Sequence, residues 1–244
     1  MAHSAATVGR HRPFPDAWER PAYSISDAAR YVLVPAATLR SWVAGRFYPT
    51  QAEERKLFEP VIRTPEAKSP WLLSFRNLAE AHVLATLRRH HHVKLVTIRL
   101  AVRYMERRFK DHHPLINPGM RTNGIDLFLE QAGVLEGVSR EGQLGIREVL
   151  EASLERLDWG VSGSVLRLFP FTRLGEREFH GPRVVVIDPR ISFGKPVIVG
   201  TRIPTRAVFD RWTAGDSVED LAKDFERPSL EIEEAIRCEQ QKVA

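Results

Sequence analysis

The chain has 244 residues, 43% of them hydrophobic, which is enough for a packed core in one large or two smaller domains and argues against wholesale disorder. Its single cysteine, Cys238, excludes an internal disulfide and a cysteine-built metal cage and fits a reducing cytoplasm. The formal net charge of +5 leans towards polyanionic partners, and no run approaches the ~20 apolar residues of a membrane span.

Residues 1–22 read as a flexible arm. Met1–Arg20 carries Pro13, Pro15 and the basic run Arg10-His11-Arg12 and has no apolar stretch of the secretory kind. Ser24 or Ser26 is then a natural N-cap for a helix whose Ile25, Ala28, Ala29 and Val32 share one face. Pro35 disfavours helical backbone at Val34, so the helix breaks there, and Pro35 can itself open the next one. That second helix, Ala36–Val43, closes at Gly45. Two short helices across a tight turn make a helix-turn-helix.

Glu59–Thr64 and Trp71–Ser74, separated by Pro65–Pro70, read as a hairpin and hence a wing. Two longer helices are expected next, Phe75–Arg88 and Val93–Lys110. The first buries Leu78, Ala81, His82, Leu84, Ala85 and Leu87. The second turns Val96, Leu100, Val102 and Tyr104 to a core. From Phe75 to Lys110 nine Lys/Arg face only Glu80 and Glu106. Arg88, Arg89, Lys94, Arg99, Arg103, Arg107 and Arg108 form a basic stripe that could neutralise phosphates; a solvated arginine-rich face is the alternative. His90-His91-His92 and His112-His113 do not suggest a metal site, because adjacent histidines diverge on a helix and no carboxylate–histidine spacing accompanies them.

The texture changes at 114–182, which reads as a mixed α/β connecting region. Ile125–Glu130 looks like a strand, Gly145–Leu157 like a helix, and Val165–Phe169 and Arg183–Ile187 like strands. The run Asp188–Pro204 follows. Lys195 comes after its first glycine, not its second, so it is not a phosphate loop. Gly194 and Gly200 instead supply positive backbone angles at turns. Three helices are expected after it: Ile203–Ala214, one capped by Ser217, and one opened by Pro228-Ser229. They form a second helix-turn-helix. From Ser217 to Lys242 eight Asp/Glu face four Lys/Arg. The last helix carries Glu231, Glu233, Glu234 and Glu239 where a recognition helix is expected, and DNA phosphate would repel it. The C-terminal unit is therefore expected to serve protein contacts, dimerisation or docking on a nuclease.

Tyr23–Arg46, with its Arg40-Ser41-Trp42 step, and Leu73–Ala81 through Phe109, with its Ser-Phe-x-x-Leu start, resemble the winged helix-turn-helix of MerR-type regulators. The ungapped Gly-Lys-Pro-Val-Ile-x-Gly-Thr-Arg-Ile-Pro within Asp188–Pro204 resembles the domain-of-unknown-function family 433, found in VapB-like antitoxins. The resemblance implies an antitoxin of a type II toxin–antitoxin pair. Such a protein silences a ribonuclease toxin of PIN-like fold and represses its own operon. The chain lacks the coiled-coil tail and metal-sensing cysteines of MerR regulators.

The expected fold is mainly α with small β elements, in four segments: the arm (1–22), a winged helix-turn-helix (23–113), the connecting region (114–182) and a C-terminal three-helix helix-turn-helix domain (183–244). Candidate DNA contacts are Ala36, Ala37, Thr38, Arg40, Ser41 and Arg46 on the recognition helix and after it, and Arg63 and Lys68 on the wing. Lys195, Arg202, Thr205 and Arg206 are candidates for a partner or nucleic acid. No catalytic constellation, metal or cofactor is expected. The expected partners are a PIN-like toxin, operator DNA and a second copy in a homodimer, all in the cytoplasm. The alternative is a MerR-like regulator controlled by a small molecule bound within 114–182.

Overall fold

The computed structural model describes residues 16–49, 55–65, 70–91, 94–136, 139–173, 179 and 181–240. Most of the predicted arm, residues 1–15, and the candidate Lys68 lie outside them. The architecture is mainly helical, with four small antiparallel strand pairs among the described residues.

Helix α1 (Ile25–Tyr31) starts where Ser24 Oγ accepts from Asp27 N at 3.1 Å. Leu33, with φ 60°, turns the chain into α2 (Ala36–Ala44), and Gly45, with φ 74°, turns it out again. Short strand β1 (Tyr23–Ser24) pairs with β4 (Leu72–Leu73). The wing is β2 (Arg46–Pro49) against β3 (Arg55–Phe58), with Tyr48 opposite Lys56. The hairpin predicted at 59–74 is thus displaced. The residues after β3 instead return to α2, where Val61 N and Ile62 N donate to Trp42 O at 2.8 and 3.0 Å. Leu72 and Leu73 find their partner about fifty residues upstream.

Helix α3 (Phe75–His91) is the axis of the molecule. Ser74 and Asn77 cap it reciprocally: Ser74 Oγ accepts from Asn77 N and Asn77 Oδ1 from Ser74 N. From Asn77 to Leu87 every side chain is buried, as expected of a helix packed on all sides. Helix α4 (Leu95–Phe109) buries Ile98, Ala101, Val102 and Met105, a clean i, i+3, i+4, i+7 stripe. Val96 and Leu100 stay 45% and 43% exposed, contrary to their predicted place in the core.

Ile125–Glu130 is not a strand. It lies in α5 (Gly124–Glu136), where Ile125, Phe128, Leu129 and Ala132 fall at helical spacing and are buried. Helix α6 (Arg140–Glu155), capped by Ser139, lays Ile146, Val149, Leu150 and Leu154 towards α3. Leu157, expected to end that helix, opens β5 (Leu157–Trp159), which pairs with β6 (Val165–Leu168). One hydrophobic core runs from Tyr23 through the connecting region to Ile187.

Then β7 (Val185–Val186) pairs with β8 (Val197–Ile198); Gly194, between them, and Gly200, after β8, take φ 76° and 75°. Helices α7 (Thr205–Thr213), α8 (Val218–Asp224) and α9 (Ser229–Gln240) enclose a second core of Ile198, Val208, Leu221, Ile232, Ala235 and Ile236. Ser217 caps α8, its Oγ accepting from Asp220 N at 3.0 Å.

Residues 16–22, read as part of the arm, are pinned. Trp18 Nε1 donates to Leu166 O at 3.1 Å, Ala22 N to Leu73 O at 2.9 Å, and Glu19 pairs with Arg76 at 3.0 Å. No described helix is long and apolar enough to cross a membrane.

Candidate nucleic-acid interface

Helix α2 divides cleanly. Leu39, Trp42 and Val43 are buried, while Ala36, Ala37 and Arg40 are exposed on the opposite side. Thr38 and Ser41 lie between, and Ser41 Oγ donates to Thr38 O at 2.7 Å. Arg40 has no hydrogen bond or ion pair to any described residue, so its guanidinium is available to a phosphate or a base edge. Small side chains at 36 and 37 let the helix approach a groove closely. Arg46 opens β2 and so stands at the root of the wing.

The turn that aims α2 is held by the long helix α3 behind it. Arg89, on α3, donates from Nη1 to Val32 O at 2.8 Å and Leu33 O at 3.2 Å. These are carbonyls left over where α1 ends. The residue predicted to touch phosphate therefore fixes the helix-turn-helix angle.

The other basic candidates scatter. Arg63 lies beyond the hairpin, not on it, and pairs with Glu106 at 3.0 Å. Arg103 pairs with Glu59, and Arg99 is buried. Arg107 and Arg108 are exposed in the last turn of α4. Sequence reasoning missed Arg55 and Lys56, which the observed register places on the wing. The signal was the aromatic pair Phe47-Tyr48 and the apolar Leu57-Phe58 flanking a short polar stretch.

Helix α9 is the counter-example. Ile232, Glu234, Ala235, Ile236, Cys238 and Glu239 are buried, and the more exposed Glu233 and Arg237 pair with each other at 2.8 Å. Glu234 is 0% exposed; it accepts from Arg173 Nε at 2.9 Å, from Arg237 Nη1 at 2.5 Å, and from the Thr172 hydroxyl. Burial resists its charge, but Arg173 and Thr172 outweigh that and hold its carboxyl below the usual range. Glu239 pairs with Arg30 of α1 and accepts from Thr205 Oγ1 at 2.6 Å. Of the four acidic residues expected to repel DNA, Glu234 and Glu239 tie the C-terminal unit to the rest of the chain, while Glu231 pairs with Arg227 and Glu233 with Arg237 inside it. Thr205, predicted as an external contact, is wholly buried by that bond. Lys195 and Arg202 are exposed, and Arg206 is exposed but paired with Asp210 at 2.8 Å.

The histidines also find structural roles. His82 is fully buried against the Phe171 ring, 5.0 Å between centroids. Burial, with Arg89 and Arg156 near, lowers its pKa to about 3. His90 rests on Phe179. His113 sits between Glu80, at 2.8 Å, and Glu19, at 3.5 Å. Burial works against its charge, but the two carboxylates prevail and raise its pKa to about 10.

The connecting region carries an open depression of about 370 Å³ beside Ile125, Leu154 and Trp159. A cleft of about 470 Å³ lies elsewhere, between α1 and the C-terminal unit.

Residues 21–102 match a family described as "Putative DNA-binding HTH domain", and residues 185–238 match a protein family of unknown function, DUF433. Over 219 residues the chain is 28% identical to "Putative antitoxin VapB45" of Mycobacterium tuberculosis strain H37Rv, covering 84% of this chain and 88% of that protein. It is 26% identical over 226 residues to "Uncharacterized protein Rv2308" of the same strain, covering 89% and 90%. The fold is that of a crystal structure of Rv2018 from M. tuberculosis, with TM-score 0.62 and 22% identity over 90% of this chain and 99% of the other.

Proposed function

We propose that the protein is a DNA-binding antitoxin. In this reading the N-terminal winged helix-turn-helix inserts α2 into the major groove of its own operator, and a homodimer presents two such helices to a palindromic site. The chain neutralises a PIN-like ribonuclease toxin by binding it and performs no chemistry itself. The observation that carries the DNA half is the face of Ala36, Ala37 and Arg40: exposed, backed by a buried Leu39-Trp42-Val43 face, and with no partner for Arg40 among the described residues. The match of 21–102 to a DNA-binding domain family and the likeness to a protein named as an antitoxin support the reading.

The test has two arms. Co-expression with the neighbouring reading frame, followed by pull-down, is expected to yield a stoichiometric complex that suppresses ribonuclease activity. Mobility shift on the upstream DNA is expected to give binding that weakens steeply with salt. DNA binding without any complex would return the protein to the class of small-molecule-controlled regulators.

A further inference from the structure

The cleft between α1 and the C-terminal unit has features that neither DNA reading nor toxin binding uses. Its walls include Arg20, Arg30, Lys195 and Arg206 against only Asp27 and Glu239. Arg30 is paired with Asp27 and Glu239, and Arg206 with Asp210. Arg20 and Lys195 are exposed and meet no carboxylate among the described residues. The cleft therefore keeps two uncompensated cations.

Its floor holds an orphaned donor. Tyr23 is 4% exposed, and its Oη is buried without a hydrogen-bond partner among the described residues. Burial, with Tyr31 and Asp188 nearby, raises its pKa, so the phenol stays protonated and able to donate. A buried hydroxyl left unpaired is costly and needs a reason. Directly over it runs a turn in which Ser192, Phe193 and Gly194 all take positive φ, at 48°, 57° and 76°. A methyl group on Gly194 would fall 2.3 Å from Tyr23 Oη, so the turn lies on the hydroxyl. Ser192 and Phe193 hold a conformation that suits glycine, and such strain gathers at ligand clamps. Phe193 projects from the turn 94% exposed, an aromatic face at the rim.

We propose that this cleft binds a small organic oxyanion carrying a flat ring. Arg20 and Lys195 hold the acid group, Phe193 lies against the ring, and the strained turn yields so that the Tyr23 hydroxyl donates to the occupant. The donors suit a carboxylate or a phosphate ester alike, since both offer several acceptor oxygens to cations and a hydroxyl. The occupant bridges α1 and the C-terminal unit, so it stabilises the whole chain by mass action.

The probes are phenyl phosphate, benzoate and inorganic phosphate, titrated calorimetrically into the full chain. The ring-bearing acids are expected to bind and inorganic phosphate to bind more weakly; whichever of the first two binds tighter identifies the acid group. Lys195→Ala should weaken that binding by about tenfold or more. Tyr23→Phe should weaken it too, yet leave the melting temperature of the unliganded protein unchanged or raised, because the hydroxyl it removes has no partner. No binding of any probe at millimolar concentration overturns the proposal. So does binding that neither substitution alters, or a Tyr23→Phe protein that melts lower.

Discussion

The two helix-turn-helix units use their last helices, α2 and α9, in opposite ways. Helix α2 buries one side and leaves Ala36, Ala37 and Arg40 outward. Helix α9 buries Glu234 and Glu239, and these carboxylates clamp Arg173, Arg237, Thr172, Arg30 and Thr205 within the chain. The same motif is thus a surface in one unit and a fastener in the other. What separates them is not helix propensity but where the charged residues find partners. A cation with none is poised for an external anion, whereas a carboxylate with three is structural.

Experiments can break this contrast. The largest effect is expected from Trp42→Ala, which hollows the inner side of α2 and should cost about 3–5 kcal/mol in urea unfolding. If the loss is small, α2 is not anchored as described. Glu234→Ala strips a wholly buried carboxylate from its donors and should cost about 2 kcal/mol, with DNA affinity unchanged. A drop in DNA affinity at full folding would make α9 part of the interface after all. Arg40→Ala should do the reverse: operator binding weaker by roughly 1–3 kcal/mol, with stability altered by less than about 0.5 kcal/mol.

Acid and alkali should separate the two regions further. The His113 pKa is raised in the folded state to about 10, so its ion pairs with Glu80 and Glu19 contribute fully below its unfolded pKa near 6.5. That contribution fades as pH rises through about 10, by at most ~1.4 kcal/mol per pH unit. The Glu234 pKa is lowered, so its contribution is present above the ordinary carboxylate range and is lost as pH falls through the depressed value. Hydrogen exchange at alkaline pH should therefore loosen α3 and residues 16–22 before α9, whereas at acid pH α9 loosens along with residues 16–22, whose Glu19 carboxyl is likewise held low by His113. Loosening of α9 first at alkaline pH, or no loosening of α9 in acid, would contradict these assignments.

Local features were legible in the sequence. Ser24 and Ser217 cap helices through bonds spanning three residues, and Gly194 and Gly200 turn the chain where glycine is needed; Ser139, which opens α6 ahead of the expected start at Gly145, was missed. The two faces of α2 were legible for the same reason, since periodicity sets them. Ile125–Leu129 misled because a short apolar run fits either period; the spacing to Ala132 decides for a helix. Leu72 and Leu73 were paired with the wrong segment because strand partners are chosen across distance. Glu234 and Glu239 were misread for the same reason. Their partners Arg173 and Arg30 lie 61 and 209 residues away, and no local pattern announces them.

The bond from Arg89 to the carbonyls of Val32 and Leu33 has one more consequence. The angle at which α2 is presented is inherited from the central helix, while the letters it shows, positions 36, 37 and 40, support nothing beneath them. Aim and vocabulary are therefore separable. If α2 reads DNA as proposed, new residues at those three positions would retarget the protein to another operator without re-engineering the scaffold, and copies of this chain could diverge in target while their architecture stays fixed.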